Sequence, residues 1–272
     1  MVLVDGVPIL EHHLRWLRAN GVARAVLLTG YLHRVIHEYF AAPRVAGLAV
    51  ECIAEETPLG RGGALRNGFE RAGIRDEVVV ATNGDVLTDQ PLEPLVELHQ
   101  RTGALATLLL TRMVSPFGIV EVDDADRLTS FVEKPALPYW INGGVYVLSR
   151  DILALFPAKG DHETTAFPEL AGQGLIAGYR SGAYLRSVES PKDLREAEEY
   201  LAARGKPFPS ADPRARRVSV PGKEKGLQLR GRREPGRFFQ RVPVAVGASP
   251  AERLTPERIC GSAWWVKDVE QP

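Results

Sequence analysis

Short apolar, β-branched runs alternate with amphipathic stretches throughout residues 1–204, and that alternation limits the fold more than any other feature of the chain. Residues 24–29 (Arg-Ala-Val-Leu-Leu-Thr) and 77–81 each read as a buried strand, as in a parallel sheet, and 48–53 reads as a further strand. Helical patterns fill the gaps at 9–20, at a stretch ending at Phe40, at 62–72 and at 92–102. In the first of these, Ile9, Leu10, Leu14, Trp16 and Leu17 supply the apolar positions, and Asn20-Gly21 is the stop signal. Strand patterns then follow in quick succession at 106–111, 117–122, 128–132 and 145–148. A helix from Asp151, a helical stretch at 167–170, a strand near 175–179 and a helix at 191–203 complete the pattern. Ser190 is a fitting N-cap for the last helix, ahead of Pro191. Elements alternating at this spacing predict an α/β fold: an open, doubly wound, mostly parallel sheet with antiparallel additions in its second half.

The composition breaks near Arg204. From Gly205 onward there are 14 Lys+Arg against 7 Asp+Glu, whereas residues 1–204 carry 20 against 27, so a net charge of zero hides a basic tail. Nine of the 20 prolines also fall in that tail. Two units are therefore expected: a domain over 1–204 and a Pro/Gly/Arg-rich, weakly ordered extension over 205–272. Within the extension, 238–246 is the strand candidate and Ala263-Trp-Trp-Val266 is an apolar patch. Its arginines come without a nucleic-acid motif, so nucleic acid is not the expected partner. No apolar run approaches the roughly 18 residues of a membrane span, and the first residues lack the pattern of a secretory signal. A cytoplasmic location without membrane attachment is the expectation. Cys52 and Cys260 have the spacing of neither a disulfide framework nor a zinc site.

The strand at 77–81 leads into Thr82-Asn83-Gly84-Asp85. Ligands of open α/β sheets bind beyond the carboxyl ends of the strands, so Asp85 is placed where a carboxylate could hold Mg²⁺ against phosphate oxygens. Asn83 and Gly84 permit a sharp turn and a close backbone approach. Taken alone, the same residues also make an ordinary solvated turn. His12 and His13 are expected on a solvated helix face, and Asp123-Asp-Ala-Asp126 is expected as a polar hairpin loop.

Four more segments stand with Asn83-Gly-Asp85 in a specific order: Pro58-Leu-Gly-Arg-Gly-Gly-Ala-Leu65, Phe117-Gly-Ile-Val120, Phe131-Val-Glu-Lys-Pro135 and Ile141-Asn-Gly-Gly-Val-Tyr146. The set resembles the sugar-1-phosphate nucleotidylyltransferases, and the Pro-Leu-Gly form looks most like the mannose-1-phosphate and heptose-1-phosphate guanylyltransferases. The resemblance runs from Met1 to about Leu201. It implies a Rossmann-like mixed sheet and an Mg²⁺-dependent transfer of GMP, or another NMP, from an NTP to a sugar 1-phosphate, with pyrophosphate released. GTP is the favoured nucleotide, and association with further copies of the chain is left open. It implies that Asp85 holds metal, and that Gly60, Gly62 and Gly63 form a tight loop reading the base. Asn83 and Gly84 shape the turn. Gly118, Glu133, Lys134, Asn142 and Gly143 contact the sugar phosphate, with Lys134 serving its phosphate. For Gly60, Gly62 and Gly63 the competing reading is close helix–strand packing, for Gly118 a β-bulge, for Asn142 a turn between strands, and for Glu133–Lys134 an exposed ion pair.

The chain departs from the family in two places. The family's opening strand and its Gly-Gly-x-Gly-Thr-Arg loop would precede the counterpart of Met1, which leaves a central strand of the sheet unaccounted for. Val244-Ala-Val-Gly-Ala-Ser-Pro-Ala-Glu-Arg-Leu-Thr-Pro256 follows that opening loosely, matching at Arg253, Leu254 and Pro256, and a permuted strand there is the minor reading. In Tyr184-Leu-Arg-Ser-Val-Glu-Ser-Pro191, Ser187 takes the place of a second metal-binding Asp, and Glu189 that of a glycine. A member that binds sugar phosphate or nucleotide without turnover, or acts as a regulatory partner subunit, is the alternative function.

Overall fold

The computed structural model describes residues 1–204 and the segment 243–247. A hairpin opens the chain, β1 (Leu3–Val4) and β2 (Val7–Pro8), turning through Asp5 and Gly6, both at positive φ as a two-residue hairpin turn requires. In chain order there follow α1 (Ile9–Ala19), β3 (Arg24–Thr29), α2 (His33–Phe40), β4 (Ala49–Ala54), α3 (Gly60–Arg71), β5 (Val78–Asn83) and β6 (Val86–Thr88). Next come α4 (Glu93–Thr102), β7 (Ala106–Val114), β8 (Ile119–Val122), β9 (Leu128–Val132) and β10 (Ala136–Ser149). A 3-10 turn at Arg150–Leu155 stands where a helix was expected, and α5 (Ala166–Gly172), β11 (Ile176–Arg180), β12 (Leu185–Ser187), α6 (Pro191–Arg204) and β13 (Pro243–Gly247) complete the described chain. Ser190 caps α6 as expected, exchanging hydrogen bonds with Asp193 three residues on.

The main sheet runs β11-β7-β10-β5-β13-β3-β4. β5, β13, β3 and β4 are mutually parallel, and β10 inserts antiparallel between β5 and β7. Period-two alternation sends successive side chains to opposite faces, and here both faces are covered. Ala25, Leu27, Val80, Val145 and Val147 pack into one core with α1 and α4, while Val26, Leu28, Val79, Ala81, Tyr146 and Leu148 pack into another with α3 and α5. The doubly wound reading therefore holds.

Three expectations need correction. The central gap is filled: the backbone of β13 pairs with β3 (Val244 opposite Ala25) and with β5 (Ala245 opposite Ala81), so the minor reading of a permuted strand describes the sheet. The rest of 205–272, including Ala263–Val266 and Arg253, lies outside the described residues. His12 and His13 are buried rather than solvated. The His12 ring bonds the Val4 carbonyl at 2.9 Å and the His13 ring bonds the Val86 carbonyl at 2.9 Å. Burial lowers the His13 pKa to about 4, so a neutral imidazole ties α1 to β6. Lastly, β10 is far longer than the 145–148 expected. Pro138 masks its first half in the sequence, and the ladder accommodates it with a register shift between Ala136 and Trp140.

Candidate active site

β5 ends at Asn83, and Gly84-Asp85 turn the chain into β6. Asp85 is only 1% exposed, and neither carboxylate oxygen bonds to another of the described residues. Burial raises its pKa to about 7, the charge of Glu189 adds to the rise, and Arg61 opposes it. A buried ionisable group without partners costs free energy in the folded chain and marks a site built for something else. A hard divalent cation with oxygen ligands is the chemistry that such a carboxylate fits.

The β10 bulge presses against this turn. Its ladder to β7 shifts between Asn142 and Tyr146, and a Cβ on Gly144 (φ +70°) would stand 2.7 Å from Asn83 Nδ2. Gly144 N–H donates to Asn142 Oδ1 (3.0 Å), while Asn142 Nδ2 donates to Tyr146 OH and to Glu163 Oε1, both at 2.8 Å. Tyr146 OH donates to the same Glu163 oxygen at 2.7 Å. Both hydrogens of the Asn142 amide are thus committed, and what it retains is the second lone pair of Oδ1. Gly143 is held by packing, since a Cβ there would meet Leu185 and the Leu109 carbonyl.

Arg61 joins this network to the glycine loop. Its guanidinium pairs with Glu163 and with Asp161 (3.4 Å), and its N–H donates to Asp161 Oδ1 at 2.8 Å. The loop itself is docked on residues 157–162. The Gly160 carbonyl accepts from Gly62 (2.9 Å) and Gly63 (3.2 Å), and a Cβ on Gly60, Gly62 or Gly63 would collide with that segment. The N–H groups of Gly62 and Gly63 are thus used within the chain. The glycines answer to close packing.

The other motif residues lie apart from this cluster. β8 and β9 form a separate hairpin, closed by Asp123, which accepts from the N–H groups of Ala125 and Arg127 as the polar-loop reading expects. A Cβ on Gly118 would stand 2.7 Å from the Phe131 ring and 3.0 Å from Glu133 Oε2, so Gly118 faces Glu133 across the hairpin. Lys134 Nζ lies 3.5 Å from Glu133, and both side chains are more than half exposed. Lys134 itself has φ +48°, unusual for a residue with a side chain. At about 3.3 Å per residue, the stretch of β10 from Ala136 to Asn142 spans about 20 Å at most.

The model of the nucleotidyl transferase family matches residues 1–202. The chain belongs to that family. A mannose-1-phosphate guanylyltransferase of Mycobacterium tuberculosis is 33% identical over 218 residues, which is 77% of this chain and 60% of the relative. A D-glycero-alpha-D-manno-heptose 1-phosphate guanylyltransferase of Aneurinibacillus thermoaerophilus is 32% identical over 209 residues, 74% of this chain and 88% of the relative. Among solved structures, HddC from Yersinia pseudotuberculosis superposes with a TM-score of 0.61 at 25% identity, over 74% of this chain and 88% of that one. The chain therefore spans about three fifths of the Mycobacterium relative and most of the Aneurinibacillus one.

Sequence reasoning missed two of the site's charged groups, Arg61 and Glu163, and a buried acid just ahead of the glycine loop, Glu55. Arg61 stood inside the quoted glycine motif but was passed over for its neighbours. Glu163 carries no local signal, since only folding brings residues 142, 146, 61 and 163 together. Glu55, just ahead of the Pro58-Leu-Gly motif, accepts from Leu59 N–H at 3.2 Å with one oxygen and buries the other without a partner, and burial raises its pKa to about 8. Among the described residues no helix is long and apolar enough to cross a membrane.

Proposed function

We propose that this chain transfers GMP from GTP to a sugar 1-phosphate of the mannose or heptose type, giving a GDP-sugar and pyrophosphate. The observation that carries the reading is Asp85, a fully buried carboxylate without partners at the carboxyl edge of a doubly wound sheet. Its chemistry fits Mg²⁺, which when bound would neutralise phosphate charge.

The chain's own part is placement. A phosphate oxygen of the sugar phosphate attacks the α-phosphorus in line, forming the new P–O bond as the bond to the leaving pyrophosphate breaks. Such a transfer needs alignment and charge neutralisation rather than a protein nucleophile. In this reading Lys134 holds the phosphate of the sugar as a point charge, and Gly118 gives it room beside Glu133. Glu133 accepts from sugar hydroxyls. Asn142, locked by Glu163, Tyr146 and Gly144, accepts from another through Oδ1. Asn83, Gly84 and Gly143 keep the wall of the cleft thin, and Gly60, Gly62 and Gly63 fix it to residues 157–162.

The test is pyrophosphate release by the purified chain with GTP, Mg²⁺ and mannose 1-phosphate or heptose 1-phosphate. Turnover that disappears in Asp85→Asn supports the proposal. A folded chain that binds GTP or sugar phosphate and releases no pyrophosphate favours the second reading, a binding member of the family, for which Ser187 in place of a carboxylate is the specific observation.

A further inference from the structure

The ladder of β11, β7 and β10 gathers two arginines around a tryptophan on one face of the sheet. Arg180 stands opposite Leu110, and Leu110 opposite Asn142, so those three form one row across the strands. The next row pairs Arg112 with Trp140. Residues two apart on a strand share a face, so Trp140 lies on the face of Asn142, and Arg112 on that of Leu110. The guanidinium carbon of Arg112 is 4.2 Å from the centre of the Trp140 ring, and that of Arg180 is 5.7 Å from it. The two charges are therefore no farther apart than those distances combined.

Among the described residues neither guanidinium has an ion pair or a side-chain hydrogen bond. Other arginines of the chain are answered by carboxylates: Arg24 by Glu51, Arg127 by Asp123, and Arg186 by Asp193 and Glu196. Stacking on a ring uses the face of a guanidinium and none of its five N–H donors, which lie at the edge. It also fixes the plane in which those donors point. Both arginines are exposed and Trp140 is half-buried, so the donors are open to a ligand while the ring is held by the sheet. Two like charges gathered at one ring repel, and an anion between them removes the repulsion. A carboxylate, with one charge and two oxygens, answers a single arginine. A phosphate group, with about two negative charges and three acceptor oxygens, can take a guanidinium fork from each.

We propose that Arg112 and Arg180, stacked on Trp140, form a binding site for a phosphate group. Two sources carry that chemistry: free phosphate, and a second phosphate on the sugar substrate, at the end remote from C1. Trp140 is two residues along β10 from Asn142, about 7 Å, an interval that a mannose or heptose ring held at Asn142 Oδ1 covers. The link to the sugar rests on the reading of Asn142 given under the proposed function. The phosphate site itself does not.

The test uses inorganic phosphate as the probe, with neither nucleotide nor metal. The full chain is titrated by isothermal calorimetry at fixed ionic strength, for the native sequence, Arg112→Gln, Arg180→Gln and, as a control, Arg101→Gln on α4. Arg112→Gln and Arg180→Gln are each expected to weaken phosphate binding at least tenfold, and Arg101→Gln to change it less than twofold. All three positions are exposed, so a folding defect does not confuse the result. Mannose 1-phosphate and mannose 1,6-bisphosphate are then compared in the same way. A bisphosphate that binds at least tenfold tighter, with the advantage lost in Arg112→Gln and Arg180→Gln, assigns the site to the second phosphate of the sugar. Equal binding of the two sugars, with inorganic phosphate still lost in those variants, supports the site and assigns it to free phosphate. No phosphate binding, or binding equal in the native chain and both variants, overturns the inference. The pyrophosphate assay with Asp85→Asn is independent of that result, so the proposed function stands or falls by itself.

Discussion

The two halves of the candidate site are made from the same kind of short motif, yet their physical states are opposite. At the sheet edge, Asp85 is buried without a partner and Asn142 has its amide hydrogens committed to Glu163 and Tyr146. On the β8–β9 hairpin, Glu133 and Lys134 form an exposed ion pair, a contact that contributes little to stability. Phe117 and Phe131 on the same hairpin are 75% and 64% exposed. The first half is preorganised at the expense of folding stability, and the second is an exposed two-stranded hairpin held by its own ladder. A change at the edge should therefore move stability and chemistry in opposite directions, whereas a change on the hairpin should move binding with little effect on folding.

The largest effect tests the edge. Asp85→Asn should lower pyrophosphate release by at least about a thousandfold, the scale seen when a preorganised electrostatic group is removed, and should raise the thermal midpoint at pH 8. The sign follows from the raised pKa. A carboxyl that titrates near 7 when folded and near 4 when unfolded stabilises the fold below pH 4, and that contribution is lost as pH rises through 7. Glu55, raised to about 8, adds loss of the same sign. His13, His99 and His162, all lowered to about 4, act in reverse: their contribution is present above pH 6.5 and is lost as pH falls through 4. Melting curves from pH 4 to 9 should show both limbs, with Asp85→Asn flattening only the alkaline one. An Asp85→Asn chain less stable than the native one at pH 8 would sink the contrast.

The next effect asks whether the edge depends on the tail. β13 is paired on both sides, between β3 and β5, one strand from Asp85. Ala245→Pro removes a ladder donor from a central strand, where proline is not tolerated, and should cost about 1–3 kcal/mol for the carbonyl left unpaired. Urea denaturation followed by circular dichroism measures it. A change under about 0.5 kcal/mol, the level of an ordinary surface substitution, would mean that the strand contributes nothing to the folded chain in solution.

On the hairpin the expected effect is smaller and confined to binding. Lys134→Ala should raise the KM for the sugar 1-phosphate by about ten- to a hundredfold, as for one lost charge-assisted contact of about 1.5–3 kcal/mol, while kcat changes less. Equal falls in kcat and in kcat/KM would show instead that the ammonium acts in the transition state.

This contrast also explains what the sequence made legible. Strands such as Arg24–Thr29 and Val78–Asn83 were readable because both faces are buried, so burial alone wrote their pattern. Asp85, Gly118, Glu133, Lys134 and Asn142 became candidates because each sits in a contiguous motif. The Glu163–Arg61–Asn142–Tyr146 network was not, because it depends on contacts between segments far apart in the chain. The burial of His12 and His13 was misread because the polarity of a residue type outweighed the carbonyls waiting for it, Val4 and Val86. The slot of β13 was visible as a gap, and its occupant only through the loose match of Val244–Pro256 to the family's missing opening.

The smallest effect separates backbone from charge at Lys134. At φ +48° a residue with a Cβ is strained by about 1 kcal/mol, and glycine is not. Lys134→Gly and Lys134→Ala both remove the ammonium, so both should weaken sugar-phosphate binding alike. They should differ in stability, with the glycine variant about 1 kcal/mol above the alanine variant in urea denaturation. Glycine also loosens the unfolded chain, which opposes the gain, so a glycine variant that is still the more stable shows the strain to be real in solution. If glycine binds the sugar phosphate less well than alanine, the strained turn itself holds Glu133 and Gly118 in register, and the hairpin shares the preorganisation of the edge. If the two bind equally, the hairpin contributes a charge and the sheet edge contributes the geometry.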